Sequence, residues 1–175
     1  TLLILRATEL LTPDLGADAA ATTAIGLYVG YNIAATVASI PAGRLADRRG
    51  PRLVFAGGIA LFVLAYATFA AAGALIAVIA VAFIAAGVGI GAVETAEHAA
   101  VAGLAPEGLR GSAFGLLAGI QSLGDLAASA GVGLLWTLVS PAVAFSVAAV
   151  VMFASLVAVL AGSAAEGVRR DRSDA

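Results

Sequence analysis

Gly43-Arg44-Leu45-Ala46-Asp47-Arg48-Arg49-Gly50-Pro51-Arg52 is the stretch that decides how this chain is read. Four of the nine basic residues and one aspartate fall within it, while residues 33–42 before it and 53–72 after it carry no charge. Arginine is held on the cytoplasmic side as apolar helices insert into a bilayer. A dense basic turn between two uncharged stretches therefore reads as a cytoplasmic connection between membrane spans.

Composition agrees. Of 175 residues, 62% are hydrophobic and 11% charged, with a mean hydropathy of +1.07. A soluble domain carries about 25% charged residues, so too little polar surface exists here to face water all round, and lipid must be the solvent. The net charge of -2 excludes a nucleic-acid partner, which needs a basic excess. One His and no Cys exclude disulfides and leave no ligand set for zinc. No cofactor is implied. The chain opens at Thr1 without a basic leader or a cleavage site, which reads as a start partway through a longer protein.

A spanning helix needs about 20 mostly apolar residues. Five segments meet this, at roughly residues 20–43, 52–72, 74–103, 109–137 and 141–162, preceded by a short apolar stub at 1–11 and followed by a polar tail at 163–175. Helix is required because unpaired strand backbone is not tolerated in hydrocarbon. The fold class is therefore all-α, a polytopic transmembrane bundle. Threading the spans back and forth puts eight of the nine arginines on one side and leaves Arg6 with Glu9, Asp14 and Asp18 on the other. This predicts a cytoplasmic 43–52 loop and a cytoplasmic C-terminus.

Polar residues gather on three spans. The first has Tyr28, Asn32, Thr36 and Ser39 in one helical stripe; the third has Glu94, Glu97 and His98; the fourth has Gln121, Ser122, Asp125 and Ser129. The second and fifth are nearly bare. Striped helices are expected to turn inward and bare ones to lie outside. Gly87 with Gly91, and Gly111 with Gly115 and Gly119, have the small-xxx-small spacing that lets membrane helices approach closely, and predict tight packing of the third span on the fourth.

The basic stretch resembles, nearly letter for letter, the G-x-L-A-D-R-x-G-x-R loop signature of the major facilitator superfamily of secondary transporters. Residues 94–115, ending in the pattern P-x-x-x-R-G-x-A-x-G from Pro106 to Gly115, are similar to the tenth helix and following loop of many bacterial members. Some relatives have Arg where His98 stands and Asp where Gly103 stands. The resemblance implies the C-terminal half of the twelve-helix fold, namely the end of helix seven plus helices eight to twelve, with the ninth and twelfth peripheral. It also implies a plasma (bacterial inner) membrane location and alternating access about a midplane site. The partners it implies are the lipid bilayer, an N-terminal six-helix half, a small-molecule substrate and protons.

Asp125 falls near mid-membrane, where a carboxylate is costly and marks an ion or substrate pathway by default. Glu94 is also deep. Both are candidates for proton coupling or for recognising a cationic group, and Tyr28, Asn32 and Gln121 for hydrogen bonds to substrate. The alternative for Asp125 is a protonated carboxyl bonded to Gln121 or Ser129; for Glu97 and His98, a pair near the interface satisfying each other or snorkelling outward. Within the loop, Gly43 and Gly50 are expected to form a tight turn. Asp47 would accept charge-assisted bonds from an arginine, with Arg110 the best partner in the chain, and Arg44, Arg48 and Arg52 complete the latch. The scarcity of aromatics on the polar spans and the absence of a mid-membrane arginine favour proton-coupled efflux of amphipathic compounds over uptake of organic phosphates. Two rivals remain: a non-transporting scaffold, which needs no deep acids, and a membrane-embedded hydrolase, which lacks an activated nucleophile or metal.

Overall fold

The structure, a computed structural model, describes residues 2–71, 73 and 75–173, with residues 163–173 described by backbone alone. Six α-helices follow one another: α1 (Leu2–Leu15), α2 (Ala17–Arg49), α3 (Pro51–Ala71), α4 (Ile76–Leu104), α5 (Arg110–Leu138) and α6 (Pro141–Ser173). A single 3-10 turn, Glu107–Leu109, precedes α5, and no strand occurs among the described residues. Five of the helices are long and apolar enough to cross a membrane. The polar tail expected at 163–175 begins as a continuation of the α6 backbone; its side chains, and Asp174 and Ala175, lie outside the described residues.

Breakers set the joints. Gly16 and Gly50 are the sole residues between α1 and α2 and between α2 and α3, with φ of 78° and 87°, a region that side chains rarely adopt. Pro51 then opens α3 at the first helical position, where its missing N–H costs nothing. Ala105, extended ahead of Pro106, stops α4. At the start of α6, Ser140 Oγ accepts the N–H of Val143 at 3.2 Å, capping a helix whose first residue is again proline.

The 43–52 segment differs from the expected loop. Helix α2 continues through Arg49, so Gly43 is helical and the connection shrinks to Gly50. The reason lies on the inner face of this last stretch. Ala42 and Ala46 are buried against Val54 of α3 and Ala92 and Ala96 of α4, and the methyl group of Thr95 lies opposite Gly43. Small side chains at these positions hold three helix ends together. A glycine within such a packed helix is tolerated despite its poor propensity.

Helix α4 lies against both α2 and α3, α3 also against α6, α1 against α2, and α5 against α6 and less extensively α4. Phe69, Phe83 and Phe145 fill the centre, all fully buried, with ring centroids 5.5 Å apart from Phe69 to each of the other two. Tyr66 and Trp136 join the cluster through Phe145. Lipid tails are as apolar as these rings, so close packing rather than expulsion from water favours the assembly. Each such aromatic pair contributes about 0.5–1.5 kcal/mol.

The glycine pairs behave differently from expectation. A Cβ on Gly87 would fall on the carbonyl oxygen of Tyr31, and one on Gly91 on that of Ala35, so both face α2 rather than α5. Gly89, two residues from each, instead faces Gly58 of α3. Gly111, Gly115 and Gly119 meet nothing within 4 Å. Helix α5 has no buried residue at all. Within this chain the bare helix α3 is an interior element, sandwiched between α4 and α6; of the α2 stripe Tyr28 packs against the aromatic core, while Asn32 and Thr36 on α2 and Ser122, Asp125 and Ser129 on α5 stay exposed. An aromatic centre offers no partners to such side chains, and their stripes are left for water, ligand or further protein.

Candidate functional site

The residues singled out from sequence lie on three helices. Tyr28 and Asn32 lie toward the middle of the 33-residue α2. Asp125 lies fifteen residues into α5, roughly 22 Å along its axis at about 1.5 Å per residue. Glu94 is ten residues from the end of α4, about 15 Å. Asp125 and Glu94 are both exposed, and neither forms an ion pair among the described residues.

Tyr31, also on α2, lies within long-range electrostatic reach of Tyr28, Tyr66, Glu94 and Asp125, which come from four different helices. Tyr28 and Tyr31 stack with centroids 5.3 Å apart and planes 13° from parallel. Tyr66, half-buried on α3 against Phe62 and Phe145, is likewise within range of Asp125. Sequence reading missed Tyr31 because the stripe through Tyr28, Asn32 and Thr36 leaves it aside. The available signal was the three-residue step from Tyr28, which places two tyrosines on adjoining faces of one helix.

Asn32 turns part of its capacity inward. Its Nδ2 donates to the carbonyl of Tyr28 at 2.7 Å, and the Thr36 hydroxyl donates to the carbonyl of Asn32 at 2.9 Å. Asn32 is exposed, and its amide oxygen can accept a further bond. A shallow depression of about 420 Å³ follows this stripe, lined by Tyr28, Asn32 and Thr36 with Val29, Ile33 and Val37.

Gln121 and the Glu97–His98 pair depart from expectation. Gln121 Nε2 donates to Glu97 Oε2 at 2.5 Å, linking α5 to α4, and so it does not bond Asp125. His98 is not paired with Glu97. Its Nδ1 lies 2.7 Å from the carbonyl of Glu94, and its ring stacks on Phe114 of α5 with centroids 5.7 Å apart. A carbonyl can only accept, so Nδ1 carries the proton in this contact. One turn of separation lets His98 reach back to Glu94, whereas adjacent residues on a helix do not face each other. The structural alternative for Asp125 is also unmet: neither Gln121 nor Ser129 bonds its carboxylate among the described residues.

At the basic end, Arg44, Asp47, Arg48, Arg52 and Arg110 are exposed, and no ion pair joins Asp47 to Arg110. The inner face of the segment is taken by Ala42 and Ala46, which leaves Asp47 pointing outward from the three-helix junction. An ion pair among the described residues lies at the opposite end. Arg6, overlooked as an outlying charge, is buried, bonds Glu9 at 3.1 Å and directs Nε at the carbonyl of Phe69, 3.4 Å away in the last turn of α3. Such carbonyls have no partner within their own helix and carry the negative end of its dipole.

A bundle of membrane-length helices, with acids at mid-depth and arginines at one end, defines a polytopic membrane protein. The family model of the Major Facilitator Superfamily matches residues 2–173, and the chain belongs to that superfamily of membrane transporters. No curated protein and no solved structure matches it.

Proposed function

We propose that this chain acts as the C-terminal half of a secondary active transporter, cooperating with a six-helix N-terminal half to move a small molecule by alternating access. Glu94 and Asp125 carry the coupling protons and receive a cationic group of the substrate in their place. Tyr28 and Tyr31 offer it a stacked aromatic surface, and Asn32 an acceptor oxygen. The reading rests on one observation: two carboxylates on separate helices, Glu94 and Asp125, are exposed well inside α4 and α5, and no arginine occurs in α4 or between Ala17 and Gly43. A carboxylate inside a membrane-spanning bundle is costly unless it is protonated, paired or hydrated, and exchange of a proton for a cationic substrate there supports efflux driven by the proton gradient. The exposed acid-bearing faces of α4 and α5 support a water-filled cavity there, since hydrocarbon would not accept them.

In this scheme the basic end of α2 and the C-terminus are cytoplasmic and the protein lies in the plasma membrane. Asp47 and its neighbouring arginines latch that side in a state other than the one described here. Gln121 supports the site indirectly, by holding α5 through Glu97. Energised everted vesicles carrying the whole transporter, loaded with tetraphenylphosphonium, test the proposal. Glu94→Gln and Asp125→Asn should each reduce proton-driven accumulation at least tenfold at equal protein abundance. Accumulation that survives replacement of both acids would remove their coupling role, and no accumulation by the unaltered transporter would leave a scaffold as the better reading.

A further inference from the structure

Along the middle of α2 the polar side chains turn hydrogens onto their own backbone. The Asn32 group 2.7 Å from the Tyr28 carbonyl is the NH2, because a carbonyl can only accept, and this leaves Oδ1 as the acceptor of the amide. The Thr36 hydroxyl gives its single hydrogen to the Asn32 carbonyl at 2.9 Å and keeps its lone pairs. Both residues are exposed and line the depression on α2. Acceptors therefore outnumber donors there. Oδ1 of Asn32 and the Thr36 oxygen stand against one spare amide hydrogen of Asn32, and the Tyr28 hydroxyl can act either way. No basic residue between Ala17 and Gly43 supplies the missing donors. Alongside, Val29, Ile33 and Val37 follow Tyr28, Asn32 and Thr36 by one position each, so an apolar row runs parallel to the polar one. All three are more than half exposed.

We propose, resting on the transport role given above, that this double row selects substrates by their N–H groups and takes an amphipathic primary ammonium or guanidinium in preference to a quaternary cation. Glu94 and Asp125 attract any monocation alike, so charge alone gives no selection. The acceptors do. Asn32 and Thr36 stand one turn apart, with Cβ atoms about 5–6 Å from each other, and the divergent N–H groups of a guanidinium span the two oxygens. The apolar remainder of the ligand lies along Val29, Ile33 and Val37. A trimethylammonium group carries the same charge but has no hydrogen to give. Its methyl groups displace water from both oxygens without replacing the bond, which is the penalty by which a hydrogen-bonding site rejects an analogue.

The test uses everted vesicles carrying the whole transporter, with tetraphenylphosphonium as the transported probe. Two competitors share one stem, phenylbutylguanidinium and phenylbutyltrimethylammonium. Both stay charged at neutral pH, so neither collapses the proton gradient. The guanidinium should halve accumulation at about one-tenth of the concentration that the trimethylammonium compound needs, as one hydrogen bond to a charged group gives. Thr36→Val, which keeps the shape and removes the oxygen, and Asn32→Leu should each cut that ratio to about threefold or less, while Thr36→Ser should keep it. Displacement of radiolabelled tetraphenylphosphonium from the purified transporter gives the same ratios for any variant that no longer accumulates it. Equal inhibition by the two competitors, with accumulation intact, would overturn the selection and assign this face of α2 to the N-terminal half, leaving the coupling role of the acids standing. A ratio unchanged in both Thr36→Val and Asn32→Leu would overturn the acceptors assigned to it. Absence of accumulation by the unaltered transporter would instead remove the transport role on which the selection depends.

Discussion

Replacing Gly91 with alanine adds one methyl group at the closest approach of α2 and α4. Beyond the oxygen it falls on, the new Cβ would lie 3.0 Å from the carbonyl carbon of Ala35 and 3.1 Å from its Cα. Nonbonded carbons are comfortable at about 3.5–4.0 Å, so the helices must part by roughly 0.5–1 Å. A gap of that size forfeits about a quarter to a half of each lost contact's attraction, and overpacking of this kind costs about 1–3 kcal/mol. Alanine's better helix propensity returns about 0.5–1 kcal/mol, leaving a net loss near 1–2 kcal/mol. Gly115→Ala is the matched control, because nothing lies within 4 Å of its Cβ position. It should be neutral or slightly stabilising in the isolated chain. Unfolding of both variants in mixed micelles by titration with a denaturing detergent, followed by circular dichroism, gives the comparison. Equal stabilities for Gly91→Ala and Gly115→Ala would refute the assigned α2–α4 contact. The same variant tests function, since Tyr31 lies one turn from Ala35 and would move away from Glu94 with α2.

Three further outcomes follow from other parts of the fold. Arg6→Met should lower stability by about 1–3 kcal/mol, because the carbonyl of Phe69 and the carboxylate of Glu9 lose their shared donor; an unchanged melting temperature in detergent would contradict this. Gly50→Ala forces a side chain into positive φ and should cost about 1–3 kcal/mol, measured in the same titration; a neutral result would mean that the α2–α3 joint takes another conformation. Asp47→Asn should leave stability within about 0.5 kcal/mol of wild type, since Asp47 is exposed here, while impairing transport with insertion intact. Wild-type transport at equal membrane abundance would end its role as a latch.

Hydropathy is a local property, and what depends on it was legible: the succession of long helices, the breakers at Gly50, Pro106 and Pro141, and the superfamily signature. Partner choice is not local. The spacing of Gly87 and Gly91 announces a close approach but does not say to which helix, and the contact falls on α2. Gly43 reads as a turn residue, yet Ala42 and Ala46 find an apolar junction with α3 and α4 that keeps the chain helical to Arg49. Glu94 and Asp125 were visible as deep acids. Tyr31 was not, because its importance comes from groups on other helices. Arg6 looked like a charge at the membrane edge, and only the position of the C-terminal turn of α3 explains its burial. Glu97 and His98, adjacent in sequence, point to different neighbours because successive residues on a helix diverge by about 100°.

The lone glycine between α2 and α3 makes those helices two arms of a lever. At about 1.5 Å per residue, the far end of α2 lies roughly 50 Å from Gly50 and Tyr31 nearly 30 Å from it. A pivot of roughly 5° at that fulcrum sweeps Tyr31 through about 2.5 Å and the distant tip through about 4 Å, by simple trigonometry on those lengths. Displacements that barely disturb the arginines are thereby magnified where the tyrosines and acids converge.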